Sequence, residues 1–113
     1  MSNQYILDQV TGKVVQAAKV SLGDKLDKVI LYGSYARGDF ESESDIDIMV
    51  LADIPRENRG SERTKINGLL GYIDLELDVV LSLSVVDSAT FNMFSSIEPL
   101  YKNVLRDGVM LSA

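Results

Sequence analysis

Apolar residues recur at three- and four-residue steps near the start of the chain, at Leu7, Val10, Val14, Ala18 and Leu22. That spacing predicts an amphipathic helix from Asn3 to about Leu22 with its stripe facing a core, stopped by Gly23. Gly12 inside it costs about 1 kcal/mol relative to alanine. After a polar link, Asp24 to Lys28, the apolar run Val29 to Tyr32 predicts a short buried strand ending at a sharp Gly33-Ser34 turn. From Ser44 to Leu51 the pattern alternates, so Asp45 and Asp47 face one side of a strand and Ile46, Ile48 and Val50 the other.

Pro55 and the polar run Arg56 to Gly60 predict a loop, and Ser61 to about Leu70 a short helix with Ile66, Leu69 and Leu70 inward. Tyr72 to Leu83 alternates over the longest stretch and predicts a strand. It places Ile73, Leu75, Leu77, Val79 and Leu81 on one face and Asp74, Glu76 and Asp78 on the other. Ser84-Val85-Val86-Asp87 has the form of a capping box and predicts a helix through about Phe94, with Val86, Thr90 and Phe94 toward the core. Pro99 suits the first turn of a last helix that ends at Gly108 and leaves Val109 to Leu111 as a terminal strand. This order of elements predicts an α/β sandwich, a small mixed sheet with helices packed mainly on one face and acids on the other.

The candidate chemistry lies between Gly33 and Asp47. A helix turn beginning at Ser34 and closing on Gly38 would aim backbone N–H groups at one point beside the strand end, an arrangement suited to phosphate. Two carboxylates on one strand face repel each other unless a cation lies between them. Mg²⁺ meets that need, because it takes few carboxylates and completes its octahedron with water and phosphate oxygens. Arg37, just before Gly38 in that turn, is placed either to contact phosphate or to pair with Asp39 or Glu41.

Gly33-Ser34, ten residues, then Asp45-Ile46-Asp47, set in Gly-Ser-x-Ala-Arg-Gly and Ser-Asp-x-Asp surroundings, resembles the minimal nucleotidyltransferases of the DNA polymerase β superfamily. Phe40 and Glu41 are less typical of the intervening loop. The resemblance extends to the ending, Pro99 to Leu111, and implies the polymerase β-like nucleotidyltransferase fold. It further implies transfer of AMP from ATP to a hydroxyl with two Mg²⁺ ions. Asp45, Asp47 and a third carboxylate on a neighbouring strand would hold the metal, and Gly33, Ser34 and Arg37 would hold the nucleotide. The third carboxylate is carried to Asp78, which is followed by Val79-Val80, with Glu76 as the alternative. Small members of the family are frequently paired with a HEPN-domain ribonuclease as antitoxin and toxin. The resemblance therefore implies a HEPN toxin as partner in a hetero-oligomer, with a tyrosine as the acceptor. Two other readings stay open, an antitoxin that only binds its toxin and a small-molecule nucleotidyltransferase.

Composition narrows this further. A chain of 113 residues predicts a single domain, 1–113. With neither cysteine nor histidine, disulfides are excluded, and any metal must be held through oxygen. A net charge of −6 argues against sequence-independent DNA or RNA binding and favours a basic protein partner. No apolar run is long enough to span a membrane, and the N-terminus lacks signal-peptide order, so a cytoplasmic protein is expected. Arg56, Arg59, Arg63 and Lys65 form a loose basic group read chiefly as solvated surface.

Overall fold

The computed structural model describes residues 4–41 and 44–112. Asn3, where the first helix was expected to begin, and Ser42 and Glu43 of the loop lie outside them. The order is α1 (Gln4–Leu22), β1 (Leu26–Tyr32), α2 (Ser34–Arg37), β2 (Ile46–Ala52), α3 (Arg59–Leu70), α4 (Ile73–Leu77), β3 (Leu81–Asp87), α5 (Ser88–Phe94), α6 (Pro99–Asp107) and β4 (Val109–Ser112). The four strands form one mixed sheet in the order β3-β2-β1-β4. β1 runs antiparallel to β2 and β4, whereas β2 and β3 are parallel.

The sheet's two faces follow from strand alternation. Ile46, Ile48 and Val50 of β2, with Val29 and Leu31 of β1 and Leu83 and Val85 of β3, point into the larger core. There they meet Val10, Val14 and Ala18 of α1 and Ile66 of α3, so the stripe expected for α1 is the buried one. The opposite positions Ile30, Met49, Leu51 and Val86 pack with Phe91 of α5 and Val104 of α6 in a smaller cluster. Helices α5 and α6 cover only part of this second face. The rest is where Asp47 lies.

Between Gly71 and Asp87 the structure corrects the expected elements. Residues 73–77 are helical, and the strand begins only at Leu81. Ile73 and Leu77 are four apart, which satisfies a helix as well as alternation satisfies a strand, and Ile73 is buried while Leu75 is 81% exposed. Leu and Glu are helix formers, and this run contains a single β-branched residue, so local propensity favours the helix. The strand then continues through Ser84-Val85-Val86, and the helix N-cap is Asp87, whose carboxylate accepts the Thr90 N–H at 3.0 Å. Val86 is therefore a strand residue. Phe91, rather than Phe94, is the buried aromatic of α5, tilted against Tyr101 at 4.9 Å. In α3, Ile66 is buried as expected, but Leu69 faces outward.

The basic group also has structural work. Arg59 donates to the Asp87 carboxylate at 2.6 Å, Arg63 donates to the Leu83 carbonyl at 2.9 Å, and Lys65 pairs with Glu62 at 2.9 Å. Burial pushes the Asp87 carboxyl up, but hydrogen bonds from Thr90 and Arg59 and the Arg59 charge outweigh it and hold the group at about 2.

Two stability predictions follow from this packing. Gly12 is exposed within α1, and a Cβ there would meet open space. Gly12→Ala should therefore raise stability by about 0.5–1 kcal/mol, measured by urea denaturation; destabilisation would contradict the open site. For Asp87 the folded value lies below the unfolded 3.8, so its contribution is full above that value and is lost as pH falls toward about 2. The stability gap between wild type and Asp87→Asn should be widest near neutrality and close across that window. A pH-independent gap would refute it.

Candidate functional site

The strand-to-helix corner after β1 is built by glycines. Gly33 has φ 75° and ψ −155°, a combination that residues with a Cβ essentially never adopt. It leads directly into α2, and Gly38, with φ 84°, closes that turn by donating its N–H to the Ser34 carbonyl at 2.9 Å. The predicted turn from Ser34 to Gly38 is therefore present. Tyr35 of α2 is buried in the larger core, and Phe40 stacks on it with ring centroids 4.3 Å apart and planes 8° from parallel. The atypical Phe40 thus fastens the start of the loop to the core.

The antiparallel register of β1 and β2 places Tyr32 opposite Asp47. That pairing draws the next residue, Gly33, against the Asp47 side chain. A Cβ on Gly33 would collide with Asp47 Oδ2, so the carboxylate occupies the space that a side chain would need. Asp45 lies just before β2 and is exposed. Burial raises the Asp47 pKa above its ordinary value, repulsion from Asp45 raises it further, and Arg37 partly opposes the shift. Sequence reasoning placed these groups together, and the structure does bring Gly33, Ser34, Asp45 and Asp47 to one end of the sheet. An oxygen-only, doubly anionic pair beside a backbone turn matches what a hard divalent cation with phosphate ligands requires.

Arg37 pairs with Asp39 at 3.1 Å on the exposed side, and its charge also reaches Asp47. Tyr32, unremarked as a site residue in the sequence, lies on the Asp47 side of the sheet. Its polar end meets Ser84, and its pKa is raised by burial and by the Asp47 charge against that bond, so the phenol stays protonated. Only the strand register, which a single sequence does not display, could have found it.

Asp78 is not brought to the pair. It caps α4 in a left-handed conformation, φ 53° and ψ 52°, exposed and three residues ahead of β3. Glu76 is on the exposed side of α4, and Asp74 accepts the Leu81 N–H at 3.3 Å at the outer edge of β3. Among the described residues no three acidic side chains gather in a way that could hold a metal. The resemblance carries the third carboxylate to Asp78, but the strand face over 72–83 that would align it with Asp47 is absent, because residues 73–77 are helical and β3 begins at Leu81.

The geometry sets two outcomes. Gly33→Ala should destabilise the fold by about 1–3 kcal/mol in a urea melt, because it combines a forbidden conformation with a collision at Asp47; unchanged stability would refute the contact. For Asp47 the sign is opposite to that for Asp87: a raised folded pKa means stability is lost as pH rises through it. Without divalent cations, Asp47→Asn should therefore be more stable than wild type at neutral pH, with the advantage shrinking in acid. Equal stability of the two at every pH would contradict the repulsion.

Comparison with known proteins identifies the family. Residues 13–108 match the family described as nucleotidyltransferase domain. Two proteins of Methanocaldococcus jannaschii, each named "putative protein adenylyltransferase", are similar in sequence. One is 44% identical over 62 residues, 54% of this chain and 60% of the relative's length, so that match spans less than two thirds of the relative. The other is 36% identical over 97 residues, 86% of this chain and 89% of the relative. Among solved structures, a chain in a toxin–antitoxin crystal structure with AMP-PNP is 25% identical, with a TM-score of 0.55, and the match covers 91% of this chain and 73% of that one. The match over 13–108 takes in the Gly33 corner, the acid pair and all but the last of the strands that hold them, and the chain belongs to the nucleotidyltransferase domain family.

Proposed function

We propose that this protein transfers AMP from ATP to a tyrosine hydroxyl of a HEPN-type ribonuclease toxin, silencing it as an antitoxin, in a Mg²⁺-dependent reaction. The observation that carries the reading is the contact of the Gly33 turn with Asp47. It joins a backbone corner suited to phosphate and a carboxylate pair suited to a cation in one small volume. The names of the two archaeal relatives and the nucleotide analogue in the toxin–antitoxin structure agree with it.

In the transfer, the acceptor oxygen bonds to the α-phosphorus, the bond to the bridging oxygen breaks, and pyrophosphate leaves. The tyrosine proton passes to solvent. Gly33 and Ser34 position the triphosphate, and Asp45 and Asp47 would hold Mg²⁺. When bound, the ion neutralises the phosphate charge and aligns the phosphates for in-line displacement. Arg37 would exchange its exposed partner Asp39 for phosphate, a modest cost because exposed ion pairs contribute little. A tyrosine, with a pKa near 10, is easier to deprotonate than serine. The net charge of −6 suits docking on a basic RNA-cutting protein, and the added AMP would repel RNA phosphates there.

One observation favours a second reading, an antitoxin that only masks its partner: among the described residues no third carboxylate is gathered with the other two. The readings separate when toxin is incubated with a catalytic amount of this protein and Mg-ATP, freed of it, weighed and assayed. A mass gain of one or more AMP units with lost ribonuclease activity is expected, and Asp45→Asn or Asp47→Asn should lower the transfer rate by orders of magnitude. Unchanged mass, with inhibition only at equimolar ratio and without ATP, would establish masking instead.

A further inference from the structure

The register of β2 and β3 identifies the β3 residue that stands beside Asp47, the place on the neighbouring strand nearest this acid. These strands are parallel, and Asp47 is paired with Ser82, Met49 with Ser84. Leu83 and Val85 enter the larger core beside Ile48 and Val50, so the alternate positions Ser82 and Asp47 share the other face. Farther along that face Met49 and Val86 are sealed beneath α5 and α6. Ser82 and Asp47 are therefore the first pair beyond the sealed region, at the end of the sheet where Gly33 turns. Ser82 is half-buried.

Asp78 cannot take this place by a small adjustment. It lies four residues upstream, so reaching the Asp47 register would slide β3 by four positions. That would withdraw Leu83 and Val85 from the core and break the hydrogen bond from the Ile46 N–H to the Val80 carbonyl, 2.8 Å, that starts the ladder. With Tyr32 opposite Asp47 on β1 and Ser82 on β3, the acid is flanked by a hydroxyl-bearing residue on each neighbouring strand.

We propose that Ser82 occupies the third-ligand position of this site, so that among the described residues a divalent cation is offered only the carboxylates of Asp45 and Asp47, with the neutral Ser82 hydroxyl on the β3 side. The consequence is a centre at which no carboxylate among the described residues stands beside Asp47 on β3 to hold a second cation. A neutral hydroxyl binds a hard cation far more weakly than a carboxylate does, because the charge count of the ligands sets the affinity. This inference rests on the acid pair being a cation site, as proposed above.

Mn²⁺ titration of the full chain, with free Mn²⁺ read by electron paramagnetic resonance and no nucleotide present, tests both. Ser82→Asp should tighten Mn²⁺ binding by about tenfold or more, since it adds a third carboxylate on the Asp47 face. Ser82→Asn, equal in size but neutral, should bind as wild type does. Asp78→Asn, at an exposed cap, should leave binding unchanged, and this variant decides the question even if Ser82→Asp folds poorly by circular dichroism. A tenfold loss in Asp78→Asn, or a folded Ser82→Asp that binds no better than Ser82→Asn, would overturn the assignment. Asp47→Asn serves as the separate control: if it too leaves Mn²⁺ binding intact, the failure is of the acid pair as a cation site rather than of Ser82.

Discussion

The contact between the Gly33 backbone and the Asp47 carboxylate is the constraint on which the rest of the site depends. It exists because β1 and β2 pair antiparallel with Tyr32 opposite Asp47, so that the residue leaving β1 passes directly over the acid. Only glycine can pass there. Its φ of 75° excludes side chains, and any Cβ would displace the carboxylate. The corner and the acid therefore form a unit, and Gly33 cannot gain a side chain without moving the carboxylate.

Such a unit is costly alone, since a half-buried carboxylate beside a second one is desolvated and repelled. The sheet bears the cost elsewhere. Every even-numbered residue of β2 from Ile46 to Ala52 is fully buried in the larger core. On the other face α5 and α6 seal Met49 and Leu51. Apolar burial of this kind stabilises by about 1.5–3 kcal/mol for each large side chain, enough to hold one strained, charged corner in place. The uncovered part of the second face results from α5 and α6 reaching no farther than that cluster.

The edge strand β3 shows how a polar environment is tuned by register. Its outer edge is covered by side chains, Arg63 on the Leu83 carbonyl and Asp74 on the Leu81 N–H, which use the strand's free backbone groups and blunt it against pairing with another chain. At its far end Asp87 joins the strand to α5 through Thr90 and to α3 through Arg59. Those anchors pin β3 against sliding, so Ser82 rather than an acid upstream stands beside Asp47.

The amino-acid sequence by itself determined the Gly33-Ser34 turn, the acid pair and its alternation along β2, the core stripe of α1 and the last helix with its terminal strand. Each is set by local rules: glycine for positive φ, a two-residue period, a three-to-four-residue period, proline at a helix start and glycine after its end. Between Tyr72 and Asp87 local rules conflict. Ile73, Leu75 and Leu77 alternate like a strand, yet Ile73 and Leu77 also lie one helical turn apart, and helix propensity together with packing of those two against the larger core decided for the helix. That choice delayed β3 to Leu81, removed Asp78 from the strand and paired Ser82 with Asp47. Strand register is a relation between separate segments, Tyr32 lying 15 residues before Asp47 and Ser82 lying 35 after it, and it is set by which side chains fill a shared core, so the partners of Asp47 became visible only in the folded sheet.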